Sequence, residues 1–346
     1  MFLILDDVTA YEYWMLYNPL YSNFPDDSPR QPVTTFEHSS SNEISKMIAM
    51  KDGETGPIHI MVDSLSNRRP SENVICHVFM PRTPLPPKSI YHIGPNLGVV
   101  SPELCMVRLA ASLPRYELLH KVSNMLGLFS FNYWDRMELV EREAITSIQK
   151  TREYLKEIPY AKGVRNLRQA LNSVCERCRS PRETTLALNL KMSTRLGGQS
   201  LPPFEVNSDL DMSDEAKLLT KKSNLEGDIV WKKKNAVIEY NSDEWHLNTA
   251  QTISDMEKIS AMQRMGVTVF PMSTRQFDDY DVFESFICGV RTVLGVRDRN
   301  ADAARAKRRA LHTDLIEVER VEREKPVLGE TARWQYLEPR LDVANL

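Results

Sequence analysis

Two acidic residues interrupt stretches that are otherwise suited to burial. Asp228 opens the run Asp228-Ile229-Val230-Trp231, and Glu239 lies near the end of Ala236-Val237-Ile238-Glu239-Tyr240. The β-branched and aromatic residues in both runs predict strands. Between them, Lys232-Lys233-Lys234-Asn235 is a polar turn, so the whole reads as a hairpin. Antiparallel pairing about that turn brings Asp228 and Glu239 to the same end. Ionised carboxylates in buried strands need compensation, by a charge partner or by a metal. A pair of them can share a hard divalent cation such as Mg²⁺ or Mn²⁺.

The surrounding pattern supplies elements that could position this pair. In Ser180-Pro181-Arg182-Glu183, Ser180 reads as a helix N-cap, Pro181 as the first helical residue and Glu183 as the return arm of a capping box. That role accounts for Glu183 without any chemistry. Phe204 to Asn207 is a candidate strand ahead of the hairpin. After the hairpin, Thr249 to Met265 is predicted to be a helix, with Ile253, Met256, Ile259, Ala261 and Met262 towards its inner side and Gly266 as its cap. Val267 to Phe270 is a further strand, and Val282 to Leu294 a last helix burying Phe283, Phe286, Ile287, Val290 and Leu294. The order from Ser180 is helix, three strands, helix, strand, helix, which is an α/β arrangement.

The first half is α+β in character. Phe2 to Leu5, Ile58 to Val62, Val74 to Phe79 and Ile90 to Ile93 are short apolar runs between Pro, Gly, Ser and Asp clusters, and read as strands. From Ser101 the spacing turns helical, with two helices split by Pro114, and continues mostly so to Cys178 with a break at Gly163. The expected domains are therefore an N-terminal domain at 1–130, a helical bridge at 131–179, the α/β domain at 180–296 and a charged, helical or partly disordered tail at 297–346.

At 346 residues, 42% hydrophobic and 26% charged, the chain is long enough for two ordinary cores. No apolar run approaches the roughly 18 to 20 residues that span a bilayer. Met1 to Leu5 lacks the pattern of a signal peptide. A cytoplasmic protein without membrane contact is expected. Of five cysteines only Cys175 and Cys178 form a CxxC pair, with no second pair to complete a zinc site, so two thiols one helical turn apart is the better reading. The net charge of −3 excludes a globally basic nucleic-acid binder. Local groups remain: Lys232, Lys233 and Lys234 beside the hairpin, and Arg305, Lys307, Arg308 and Arg309 near the C-terminus, each taken singly better explained as a solvated face.

The element order from Ser180 to Leu294, with an acid in the first helix, Asp228 on the second strand and Glu239 on the third, resembles the PD-(D/E)xK nuclease superfamily. More narrowly, Asp-Ile-Val-Trp, then Ala-Val-Ile-Glu-Tyr-Asn, then Trp245-His246, with Asp255 on the helix beyond, is similar to the nuclease-like domains related to very-short-patch repair endonucleases. The resemblance implies a restriction-endonuclease-like mixed sheet flanked by helices, with Asp228 and Glu239 as metal ligands. It implies that Glu183 binds the metal through water or orients the site, and that His246 is the proton-transfer group. Lys232 to Lys234 would contact DNA phosphates without reading sequence. The superfamily carries a lysine two residues after the second acid; here Asn241 stands there, and an amide supplies neither charge nor base.

A second resemblance, carried by Gly98-Val99-Val100-Ser101-Pro102-Glu103 with its Ala-rich helix and by Ser180-Pro181-Arg182-Glu183, is to bacterial proteins related to abortive-infection antitoxins of the AbiE kind. Those often begin with a winged helix, for which the sequence has no pattern. Three functions stay open at this point. They are a Mg²⁺- or Mn²⁺-dependent nuclease acting on DNA, a nuclease-fold module that binds nucleic acid or a protein partner without cutting, and an antitoxin-like regulator with a cognate toxin.

Overall fold

The computed structural model describes residues 3–17, 57–62, 64–68, 70, 72, 74–79, 84–94, 97–132, 137–220, 224–241, 249–297 and 302–324. The fold is α/β: eleven helices and three sheets are described, and the sheets pair strands both parallel and antiparallel. The chain divides into two units, one of residues 1–172 with 321–346 and the other of residues 173–320. Among the described residues, no helix is long and apolar enough to cross a membrane.

In the first unit, β1 (Leu3–Leu5) runs straight into α1 (Asp7–Met15), with Asp6 capping the helix, and β2 (Leu16–Tyr17) follows. The other strands of the larger sheet are β3 (Ile58–Val62), β4 (Val74–Val78), β5 (Ile90–Gly94) and β6 (Leu97–Val100), in the order β4-β3-β1-β6-β5. Helices α2 (Pro102–Ser112) and α3 (Arg115–Met125) are separated at Pro114, as the sequence predicts. A small sheet joins β2 to β7 (Phe129–Asn132) and β8 (Leu139–Glu141), and α4 (Ile148–Glu157) and α5 (Val164–Ala170) complete the unit. Gly163, the N-cap of α5, has φ +99°, and a Cβ there would fall 2.1 Å from the Val107 carbonyl oxygen. Only glycine allows the helices this approach.

The second unit opens with α6 (Pro181–Lys191), capped by Ser180. It continues with β9 (Glu205–Leu210), the short α7 (Asp214–Lys217), β10 (Leu225–Trp231), a 3₁₀ turn at Lys232–Lys234 and β11 (Ala236–Asn241). Then come α8 (Thr249–Arg264), β12 (Thr268–Ser273), α9 (Thr274–Asp278), α10 (Tyr280–Leu294) and α11 (Asp302–Arg323), of which the last three residues are counted with the first unit. The sheet order is β12-β11-β10-β9, with β11 and β12 parallel and the other two pairs antiparallel. The predicted sequence of long elements is therefore observed, with two short helices inserted.

Strand alternation sorts this sheet into two faces. Ile229, Trp231, Ala236 and Ile238 pack with Leu186 and Leu190 of α6 and with Phe283, Ile287, Val290 and Leu294 of α10. Val230 and Val237 face the other way, against Ala216 of α7 and Ala261 and Met262 of α8. Cys175 and Cys178 are buried in the first of these cores. Burial pushes the Cys175 thiol up to about 11 and also raises Cys178 well above the ordinary thiol value, which makes them inert packing groups. One expectation fails: Ile253 and Met256 of α8 are 52% and 64% exposed, so only the C-terminal half of that helix buries its apolar side.

The basic group on α11 is not a free solvated face. Arg305 and Arg309 pair with Asp281 at 2.8 and 2.7 Å, and Arg308, only 3% exposed, pairs with Glu284 at 2.8 Å. Acids of α10 neutralise three of its four cations.

Candidate functional site

The hairpin register decides the site. Ile229 pairs with Ile238 and Val230 with Val237, so one further step sets Asp228 opposite Glu239. Both alternate with the residues of the α6 face and point towards α8. Asp228 Oδ2 accepts a hydrogen bond from the Tyr240 backbone N–H at 2.7 Å, tying the acid to the partner strand. Glu239 is 5% exposed; its Oε2 takes the ammonium of Lys258, on α8, in a short ion pair, while its Oε1 is buried with no hydrogen-bond partner among the described residues.

Ser180 caps α6 as its sequence predicts, but the Glu183 carboxylate reaches back to the Arg179 N–H rather than to the Ser180 N–H of the expected capping box. The Glu183 N–H donates to Ser180 Oγ at 3.1 Å, and its carboxylate accepts from Ser180 Oγ at 3.2 Å and from the Arg179 N–H at 2.9 Å. A further donor comes from the sheet: Asn207 Nδ2 lies 2.6 Å from Glu183 Oε2 and 2.8 Å from the Arg177 carbonyl oxygen. In the β9 to β10 ladder Gly227 pairs with Ser208 and Ile229 with Val206, so Asn207 faces Asp228. Asn207 has φ +45°, a left-handed conformation that asparagine tolerates better than most residues. The first turn of α6 thus meets the edge strand β9 through one amide.

These acids are poorly compensated. Burial, and then the neighbouring charge of Asp228, push Glu183 up to about 7 and Glu239 up to about 8. Asp228 is itself raised by burial, against the opposing pull of Lys258 and the Tyr240 N–H. Burial draws the Lys258 ammonium down, but Glu239 and Asp228 outweigh it and leave it above its ordinary value. The group titrates as a unit, with protons to release near neutrality.

Asp228, Glu239 and Glu183 are therefore brought into electrostatic contact. Lys232, Lys233 and Lys234 are not: they sit exposed on the turn, beyond Trp231 and Ala236 at the strand ends, and so more than roughly 10 Å along the strands from the acid pair. Lys232 is engaged with Glu205 at 2.7 Å. His246 and Trp245 lie outside the described residues. Sequence reasoning missed Lys258 and Asn207. Lys258 stands 19 residues beyond Glu239 on another element, and its signal was a cation in the middle of the helix facing the acidic hairpin. Asn207 ends a predicted strand and gave no signal of its left-handed backbone.

An oxygen-loving dication suits this donor set. Among the described residues Glu239 Oε1 is an orphaned buried acceptor, and the Lys258 ammonium does not offset the burial that raises the acids. The three carboxylates do not close into one tight cage. Among the described residues, three ligand atoms come within 4.8 Å of one another only in the first unit, at Asp7, His59 and His77. The Asp228 and Glu239 pair with retained waters matches how Mg²⁺ is commonly held. Searches against family models, curated proteins and solved structures find no match for this chain.

Proposed function

We propose that the second unit is a metal-dependent nuclease domain acting on DNA, with a restriction-endonuclease-like sheet and Asp228 and Glu239 as the ligands of Mg²⁺ or Mn²⁺. The observation that carries this reading is the Lys258 ammonium against Glu239, across from Asp228. Two acids and a lysine converge there, although Asn241 stands where the superfamily resemblance places a lysine. The cation enters from the helix instead of the strand.

When bound, the dication supplies charge neutralisation on a phosphate and a bound water of lowered pKa. Lys258 is placed to stabilise negative charge developing on a phosphoryl oxygen or to orient water. Glu183, with its carboxylate engaged by three donors, positions the site rather than contacting substrate. Raised carboxylate pKa values keep protons available near neutral pH, where general acid and base groups are effective.

Purified full-length protein, incubated with plasmid and oligonucleotide DNA plus Mg²⁺ or Mn²⁺, should cleave phosphodiester bonds. Chelation and Glu239→Gln should each abolish that cleavage. No cleavage in any metal condition, or cleavage unchanged in Glu239→Gln, would overturn the assignment. Asn241 favours a second reading, a nuclease-fold module that binds DNA or a cognate protein without cutting; metal-dependent binding with no cleavage would select it.

A further inference from the structure

The first unit contains a separate cluster that no sequence spacing connects. Asp7 begins α1 directly after β1, His59 lies on β3 and His77 on β4. Antiparallel pairing of Leu5 with Ile60 and parallel pairing of β3 with β4 collect them at one place. One oxygen of Asp7 and one nitrogen of each imidazole all lie within 4.8 Å of one another. His59 Nδ1 is 2.7 Å from His77 Nε2, and His77 Nε2 is 3.7 Å from Asp7 Oδ2. The two rings stack with centroids 4.9 Å apart.

The carboxylate is prepared for a partner of its own. Asp7 is 2% exposed and has φ +49°, a backbone state that carries strain for a residue other than glycine. Arg108 is committed to the adjacent Asp6, with its Nε 3.1 and 2.9 Å from the two carboxylate oxygens. Ser112 Oγ donates to Asp7 Oδ2 at 2.9 Å, an orienting bond of the kind that fixes a ligating carboxylate. The His59 N–H donates to Thr9 Oγ1 at 2.9 Å, locking β3 against the first turn of α1. The His77 side chain is 20% exposed, which leaves a route from solvent.

We propose that Asp7, His59 and His77 form a binding site for a zinc-class transition-metal dication, with a fourth position open to water or a ligand. Two imidazoles and one carboxylate form a borderline donor set, different in kind from the all-oxygen pair Asp228 and Glu239. Bond lengths of about 2.1 Å in a tetrahedron separate ligand atoms by about 3.4 Å. The observed 2.7 and 3.7 Å lie on either side of that spacing, and the Asp7 to His59 pair falls within 4.8 Å. The metal would tie β4 to the start of α1.

The test uses the full chain, stripped with chelator and titrated with Co²⁺ in excess Mg²⁺, which occupies the oxygen site. Wild type should develop the intense visible absorption of four-coordinate cobalt at one equivalent, and Zn²⁺ should bleach it. His77→Ala should weaken cobalt binding by more than about 100-fold, beyond the loss usual for supporting residues. His59→Phe, which keeps a ring stacked on His77, should do the same and serves as the second variant if His77→Ala does not fold. Absence of the band in wild type, or its persistence in a folded variant of either kind, overturns the site.

Discussion

The Lys258 ammonium on α8 meets Oε2 of Glu239 on β11, so the cation beside this acid comes from a helix rather than from the strand position occupied by Asn241. Lys258→Met should lower DNA cleavage by at least about 100-fold, the scale of a lost proton-transfer or charge-stabilising group. The check is a single-turnover rate under saturating Mg²⁺ beside a far-UV spectrum. An unchanged rate in folded protein would reduce Lys258 to a structural ion pair.

Stability should depend on pH in a direction set by the raised acids. Glu183 and Glu239, at about 7 and about 8 in the folded chain, lie above the ordinary glutamate value of 4.5. Between those limits the two glutamates hold more protons in the folded than in the unfolded state, so their contribution to stability falls as pH rises from about 4.5 to about 8 and then levels off. Asp228→Asn removes the charge that pushes both glutamates upward and leaves their burial in place. Its decline should be shallower and end at lower pH, measured as urea midpoints at about pH 5.5, 7 and 8.5. Parallel profiles for the two proteins would contradict the electrostatic coupling.

Metal should act with the opposite pH preference. Ligation requires ionised carboxylates, so the melting shift produced by Mn²⁺ should grow between about pH 6.5 and 8.5. At a concentration one hundred times Kd the stabilisation is about 2.7 kcal/mol. Glu239→Gln should lose the shift, read by differential scanning calorimetry. An equal shift in that variant would place the metal elsewhere.

A buried network separate from the site should hold the second unit together. Glu284 Oε1 takes Arg291 at 3.1 Å and Arg308 at 2.8 Å, and Gln199 donates to its Oε2 at 3.0 Å. Glu284→Ala leaves two buried guanidiniums short of their carboxylate and should cost about 3–5 kcal/mol. Chemical denaturation would measure it; a loss under about 1 kcal/mol would mean that the arginines find other acceptors.

Local chemistry in the sequence established the hairpin, its two acids, the Ser180 cap with Glu183, the glycine break at Gly163 and the succession of helices and strands. Each of these depends on neighbours within a few residues: alternation, capping spacing and turn composition. The burial of α8 was less legible, because an apolar residue on a helix is buried only if another element covers it, and no described element covers Ile253 and Met256 well. Lys258, Asn207 and the Asp7, His59 and His77 cluster were not legible at all. Their partners are between 18 and 70 residues away in the chain, on different strands and helices, and only sheet registry and helix packing set those distances. The sequence by itself determined which residues could carry charge into a strand; the tertiary structure decided which charges meet, because Coulomb and ligand interactions act through space and side-chain spacing along the chain does not encode them.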